Sequence, residues 1–152
     1  MSVVHIFFGE MGSGKSFQAK RFAQHEFMPR LEGDDLCSAE MVDLVSQFKP
    51  LSYSLVAELV DRLIMRMGEL CETDDALVVS QALYFNDDRL RVSRELEALG
   101  HSVVWHWVRP GFFTNMKRLF GRPRGLRWIA YWLLNKPFFD RPTHYVYQTI
   151  VA

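Results

Sequence analysis

The chain has 152 residues, of which 49% are hydrophobic and 24% charged, a balance that fits one domain built on a substantial apolar core. Its two cysteines, Cys37 and Cys71, exclude a disulfide framework and sit at no metal-ligand spacing, which suits a reduced, cytosolic setting. Net charge is zero but unevenly placed: residues 31–75 hold 11 acidic and 3 basic side chains, whereas residues 109–141 hold 8 basic side chains and one acid, Asp140.

The first apolar run, Val3 to Phe8, reads as a short strand buried on both faces, and it stops too early for a secretory signal. Behind it stands Gly9-Glu10-Met11-Gly12-Ser13-Gly14-Lys15-Ser16, the G-x-x-x-x-G-K-S spacing of a phosphate-binding loop. A helix is expected over Ser16 to Phe27, with Phe17, Phe22, Ala23 and Phe27 inward and Pro29 closing it. A brief strand at Arg30-Leu31 leads into Glu32-Gly33-Asp34-Asp35. Ser38 caps a helix to about Phe48, and Pro50-Leu51-Ser52 forms a turn and a second cap. From Tyr53 to Cys71, Leu55, Leu59, Leu63, Met67 and Leu70 mark a long amphipathic helix.

Ala76 to Val79 is a further buried strand ending at Ser80-Gln81. Asn86 is placed to cap a helix over Asp87 to Leu99, with Asp88, Arg91, Arg94, Glu95 and Glu97 on a solvated face and Gly100 at its end. Ser102 to Val108 is another strand, closed by Arg109-Pro110-Gly111. Helical pieces at Phe112 to Phe120 and Leu126 to Leu134 flank Gly121-Arg122-Pro123-Arg124-Gly125, and a last strand is expected over Thr143 to Val151. The most apolar late stretch, Leu126 to Phe139, is interrupted by charge and proline and falls short of the roughly 20 residues a bilayer span needs. No membrane partner is expected.

Strands alternating with helices give an α/β domain over residues 1–152 with a mainly five-stranded parallel sheet between helical layers. Doubly wound domains usually close with a helix after the last strand. Here none follows, so one edge or face of the sheet is expected to be exposed or covered by a partner, a second copy of the chain included.

Ligands of open α/β sheets bind at the carboxyl ends of the strands, and the polar clusters of this sequence converge there. Gly9, Gly12, Ser13 and Gly14 would turn backbone N–H groups around a polyphosphate, Lys15 would reach its terminal phosphates, and the Ser16 hydroxyl would hold Mg²⁺. Glu32 is assigned to the metal side and Asp34 to accepting a hydroxyl proton, the two tasks phosphoryl transfer to an alcohol requires. Arg118, Arg122 and Arg124 surround a Gly-Pro-Gly hinge and could neutralise charge developing on the transferred group, Arg118 from the nucleotide side. Arg109, Arg127 and Arg141 are weaker candidates for gripping an anion. The basic segment, about 110–141, is read as a mobile cover for phosphates rather than a nucleic-acid surface. Trp105, Trp107, Trp128 and Trp132 are read as packing. No strand ends in the Asp-Glu pair of ATPase motors, and Asn135-Lys136-Pro137-Phe138 lacks the Asp of a guanine reader.

On these residues the chain resembles the P-loop small-molecule kinases, and within them the gluconate kinase and shikimate kinase group. The loop at Gly9 to Ser16 matches theirs, and Glu32-Gly33-Asp34 is similar to their acid-x-acid segment with Glu for the first Asp. Lys49-Pro50-Leu51 resembles the Pro-Leu turn of gluconate kinases, and Val78-Val79-Ser80-Gln81-Ala82-Leu83 a strand that ends without an acid. The resemblance implies a P-loop NTPase fold with sheet order 2-3-1-4-5 and a helical lid, ATP and Mg²⁺, and transfer to a hydroxyl of a small, often anionic metabolite. Leu36-Cys37 replaces the expected His-Pro pair, and Ser52-Tyr53-Ser54-Leu55 an acidic, Arg-rich stretch, which argues against gluconate itself. Two other readings stay open: a nucleotide-binding regulatory or assembly protein without catalysis, and a nucleic-acid 5′-end kinase using the basic segment.

Overall fold

The computed structural model describes residues 1–143 and 147–152. Strands β1 (Val3–Phe8), β2 (Arg30–Glu32), β3 (Ala76–Ser80), β4 (Ser102–Val108) and β5 (Tyr147–Ile150) form one sheet in the order β2-β3-β1-β4-β5. Every pairing is parallel, with Val3 opposite Ala76 on one side and Ser102 on the other. The helices are α1 (Lys15–His25), α2 (Ala39–Ser46), α3 (Tyr53–Cys71), α4 (Asn86–Ala98), α5 (Phe112–Phe120) and α6 (Gly125–Asn135). Short 3-10 turns at Gly33–Leu36 and Lys136–Phe138 were not expected from the sequence. No helix of the described residues is long and apolar enough to cross a membrane.

Strand alternation divides the core into two layers. Val4, Ile6 and Phe8 of β1 face a larger cluster with Leu63 and Met67 of α3 and Val92 and Leu96 of α4. Phe7 points the other way, onto Ala19 and Ala23 of α1 with Val78 and Val108. The long helix buries Leu55, Leu59, Val60, Leu63, Ile64, Met67 and Cys71, the stripe its apolar spacing predicts, while Leu70 stays only partly buried. Ser38 and Ser52 act as the expected caps, accepting from the backbone N–H of Met41 and Leu55 at 3.2 and 3.3 Å; such a cap contributes about 1 kcal/mol.

Several expectations are corrected. Phe17 and Phe27 are exposed rather than inward, because α1 approaches the sheet closely and the small side chains of Ala19 and Ala23 fill the contact. The helix stops at His25, ahead of Phe27, whose backbone is left-handed at φ 53. Asp88 is buried, not solvated, and burial raises its carboxyl above the usual range. Asn86 lies inside the first turn of α4 instead of capping it, and the Asp140 carboxylate accepts its backbone N–H at 2.9 Å. The last strand begins at Tyr147; of the longer strand expected, residues 144–146 lie outside the described ones.

On the α1 face, His5 Nδ1 and His106 Nε2 share a proton-bridged contact of 3.0 Å, and His106 stacks on Phe7 with centroids 4.3 Å apart. Burial, reinforced by His5, pushes His106 down to about 4. An unfolded histidine keeps its ordinary value near 6.5, so below that pH the unfolded chain binds the extra proton. Stability is therefore fully present above pH 6.5 and drains away as pH falls toward 4. Urea unfolding from pH 7 to 5 should show the decline, and His106→Phe should flatten it; an equal slope in both proteins would exclude His106 as its source.

Candidate functional site

The site grows from the turn between β1 and α1. Gly12 and Gly14 have φ of 76 and 89, backbone angles that strain any residue with a Cβ. Gly14 stands at the N-cap of α1 with no side-chain cap bond, so the first N–H groups of the helix stay directed at the loop. A concave run of N–H groups at a helix N-terminus can cradle a polyphosphate.

Next to it, β2 pairs with β3 so that Glu32 lies opposite Ser80. This register carries the acidic segment to the loop: the Ser16 hydroxyl donates to Glu32 Oε1 at 3.1 Å, while Arg30 Nη1 holds Glu32 Oε2 at 2.9 Å. Asp34 and Asp35 follow in the 3-10 turn and are exposed. Burial draws the Lys15 ammonium below its usual value; the nearby charges of Asp34 and then Glu32 oppose that shift, and Arg122 adds to it. Lys15, Ser16, Glu32 and Asp34 thus occupy one electrostatic neighbourhood, although 19 positions of sequence separate Lys15 from Asp34.

The two-helix hairpin α5–α6 folds over the same loop. Asn115 Nδ2 donates to Met11 O at 3.0 Å and Arg118 Nη1 to Ser13 O at 2.8 Å. Trp132 Nε1 and Lys136 Nζ reach Glu10 Oε2 and Oε1 at 2.6 and 3.0 Å, and the Tyr131 hydroxyl donates to Lys49 O at 2.9 Å. The result is an open cavity of about 410 Å³ bordered by Gly12, Gly14, Lys15, Ser16, Arg118 and Arg122.

Most of the residues singled out in the sequence therefore meet here. Arg124 does not. It stands at the N-cap of α6 with a left-handed backbone, φ 58, its guanidinium lies over the Phe48 ring at 5.2 Å, and it does not border the cavity. Arg109 covers the Trp107 ring at 5.1 Å, and Arg122 covers Trp128 at 5.3 Å while still bordering the cavity. Ser80 and Gln81 are buried behind the acidic segment.

Sequence reasoning passed over Asn115, Tyr84 and the Glu10 contacts. Tyr84 accepts the Met11 N–H at 3.4 Å, and burial pushes its phenol up to about 12. The signal for Asn115 was present: an amide four residues before Leu119, on the inward stripe of an otherwise amphipathic helix, needs a buried partner. The Oγ of Ser13 and the Oδ1 of Asn115 are buried with no hydrogen-bond partner among the described residues.

Together the sheet order and the loop-to-helix turn give the chain a P-loop fold, one it shares with solved small-molecule kinases. Three solved structures show the likeness. A gluconokinase from Sinorhizobium meliloti 1021 superposes with a TM-score of 0.75 at 18% identity, over 99% of this chain and 81% of that one. A sugar kinase from Janibacter sp. HTCC2649, solved unliganded, gives 0.78 at 16% identity over 100% and 84%. The APS kinase of Mycobacterium tuberculosis, solved in complex with AMPPNP and APS, gives 0.65 at 20% identity over 97% and 87%. No protein-family model and no curated protein sequence matches the chain, so the likeness is one of fold.

Proposed function

We propose that this chain is an ATP-dependent phosphotransferase that moves a γ-phosphoryl group to a hydroxyl of a small, anionic metabolite. The observation that carries the reading is the Ser16–Glu32 contact of 3.1 Å, with Lys15 beside Asp34. In this reading a phosphate cradle, two oxygen donors and the Asp34 carboxylate stand at the carboxyl ends of β1 and β2. The three solved structures, described as a gluconokinase, a sugar kinase and an APS kinase, support a small acceptor.

In this reading the domain works as a unit, with residues 110–141 as its lid. Backbone N–H groups from Gly9 to Gly14 and the Lys15 ammonium hold the terminal phosphates, and Arg118 and Arg122 add positive charge from the lid. Ser16 and Glu32 suit Mg²⁺, a hard cation that takes one or two carboxylates, a hydroxyl and phosphate oxygens rather than a full protein cage. When bound, Mg²⁺ would neutralise phosphate charge. Asp34 accepts the proton that the acceptor hydroxyl loses as its oxygen bonds to phosphorus and the bond to the β-phosphate breaks. Arg124 serves the lid by its contact with Phe48 rather than by touching phosphate.

The transition state of phosphoryl transfer is loose, so a proton acceptor contributes near the lower end of its usual range. Asp34→Asn is expected to lower transfer by about 10² while ATP binding by calorimetry is unchanged. A panel of sugar acids and related hydroxy acids, followed by ADP release, supplies the acceptor. Transfer at the parent rate in Asp34→Asn would remove that residue from the mechanism, and a panel with no acceptor-dependent turnover would remove the kinase reading.

A further inference from the structure

We infer that the outer face of the α5–α6 hairpin is a docking surface for an anionic phospholipid bilayer. The inner faces of both helices are spent on the phosphate loop and its neighbours, through Asn115, Arg118, Tyr131 and Trp132. Their opposite faces carry Phe113 and Phe120 on α5 and Leu126 and Leu133 on α6, each pair seven residues apart and hence on one side of its helix. These four are 75%, 61%, 72% and 44% exposed, and Leu134 and Phe138 farther along the same segment are exposed too. Of the sixteen large apolar side chains exposed among the described residues, seven fall within residues 112–138. Scattered exposed apolar residues need no explanation, but such a concentration marks an interaction surface.

Charge chooses the occupant. Residues 112–138 hold Lys117, Arg118, Arg122, Arg124, Arg127 and Lys136 and no acid. Among the described residues neither Lys117 nor Arg127 forms an ion pair, and both are exposed beside the apolar stripes. Aromatic and leucine side chains fringed by Lys and Arg, on a segment that carries no acid of its own, are the make-up of a helix lying in a lipid headgroup layer. The same face on a second copy would set two basic patches against each other. Helices of nine and eleven residues are too short to cross a bilayer and would lie along it. The sequence alone suggested no membrane partner, because its pattern shows the charge but not that the apolar residues between the charges face outward.

This inference does not rest on the phosphotransfer reading, since lipid binding is measured without nucleotide. Flotation of the full chain with vesicles of phosphatidylcholine containing about 30% phosphatidylglycerol, against phosphatidylcholine alone, tests it. The chain should float with the anionic vesicles and fall off as salt rises. The exposed double substitution Phe113→Ser with Leu133→Ser should lower binding by about tenfold, and Lys117→Glu with Arg127→Glu by a similar factor, with unchanged thermal melting in both. Failure of the parent chain to float at low salt would overturn the inference. So would binding indifferent to the apolar pair, which is charge adsorption alone, or a dimer that the apolar pair dissolves and vesicles do not compete with.

Discussion

Replacing Lys15 with methionine is expected to lower phosphoryl transfer by about 10³, with no loss of thermal stability. The ammonium lies at the start of α1, where burial draws it below its usual value and the charges of Asp34 and Glu32 oppose that shift. Its worth must then lie in what it does for an anion, not for the folded chain. A fixed charge aimed at a developing negative charge contributes about 10² to 10³ in rate once water is excluded. Methionine keeps the stem and the helix propensity while removing the desolvation penalty, so the melting temperature should hold or rise. Steady-state turnover with an acceptor and differential scanning calorimetry on the same preparation separate the two effects. Transfer at the parent rate would place the phosphate grip elsewhere; a collapsed melting temperature would mean that Lys15 is structural.

The parts of the fold that local pattern controls are legible in the sequence. β1, β4, α3 and α5 have the limits their apolar spacing predicts, because a strand buried on both faces or a helix with one apolar stripe declares itself within its own residues. The loop from Gly9 to Ser16 was equally plain, being eight contiguous residues. What failed depended on partners distant in sequence. Phe17 and Phe27 match helical spacing, yet alanines fill the contact that the sheet offers α1. Asp88 and Arg89 sit in a run of charges that reads as solvated, yet Phe8, the turn at Leu83 and the return of residues 139–140 across α4 together enclose the arginine. Asn115 meets Met11 across 104 positions, a distance no local pattern reports.

Arg89 is where that difference should be largest in measured stability. It is fully buried, its guanidinium lies 4.6 Å from the centre of the Phe8 ring and 4.8 Å from that of Phe139, and it was not singled out in the sequence at all. Its nitrogens donate to Leu83 O at 2.6 Å, Tyr84 O at 2.8 Å, and both Asn86 Oδ1 and Asp140 O at 2.9 Å. One planar group thereby ties the end of β1, the left-handed turn at Leu83 and the first turn of α4 to the chain returning from α6. Arg89→Met should keep the packing between the two rings, since a thioether sits well against aromatic faces. It leaves several buried acceptors short of a donor, at about 1–3 kcal/mol for each that finds no other. Tyr84 O still accepts from Asp140 N at 2.8 Å and loses least. A total near 3–5 kcal/mol follows, and at about 2–4 °C per kcal/mol for a chain of this size the melting temperature should fall by roughly 10 °C. Arg89→Lys should recover little, because one ammonium cannot span acceptors arranged around a planar fork. A melting temperature unchanged in Arg89→Met would mean that water replaces the guanidinium at no loss; recovery by lysine would mean that charge, not the fork, holds the segment. Because the tied segment leads back from the hairpin that covers Gly12 and Gly14, loosening it should also raise the KM for nucleotide before it lowers kcat.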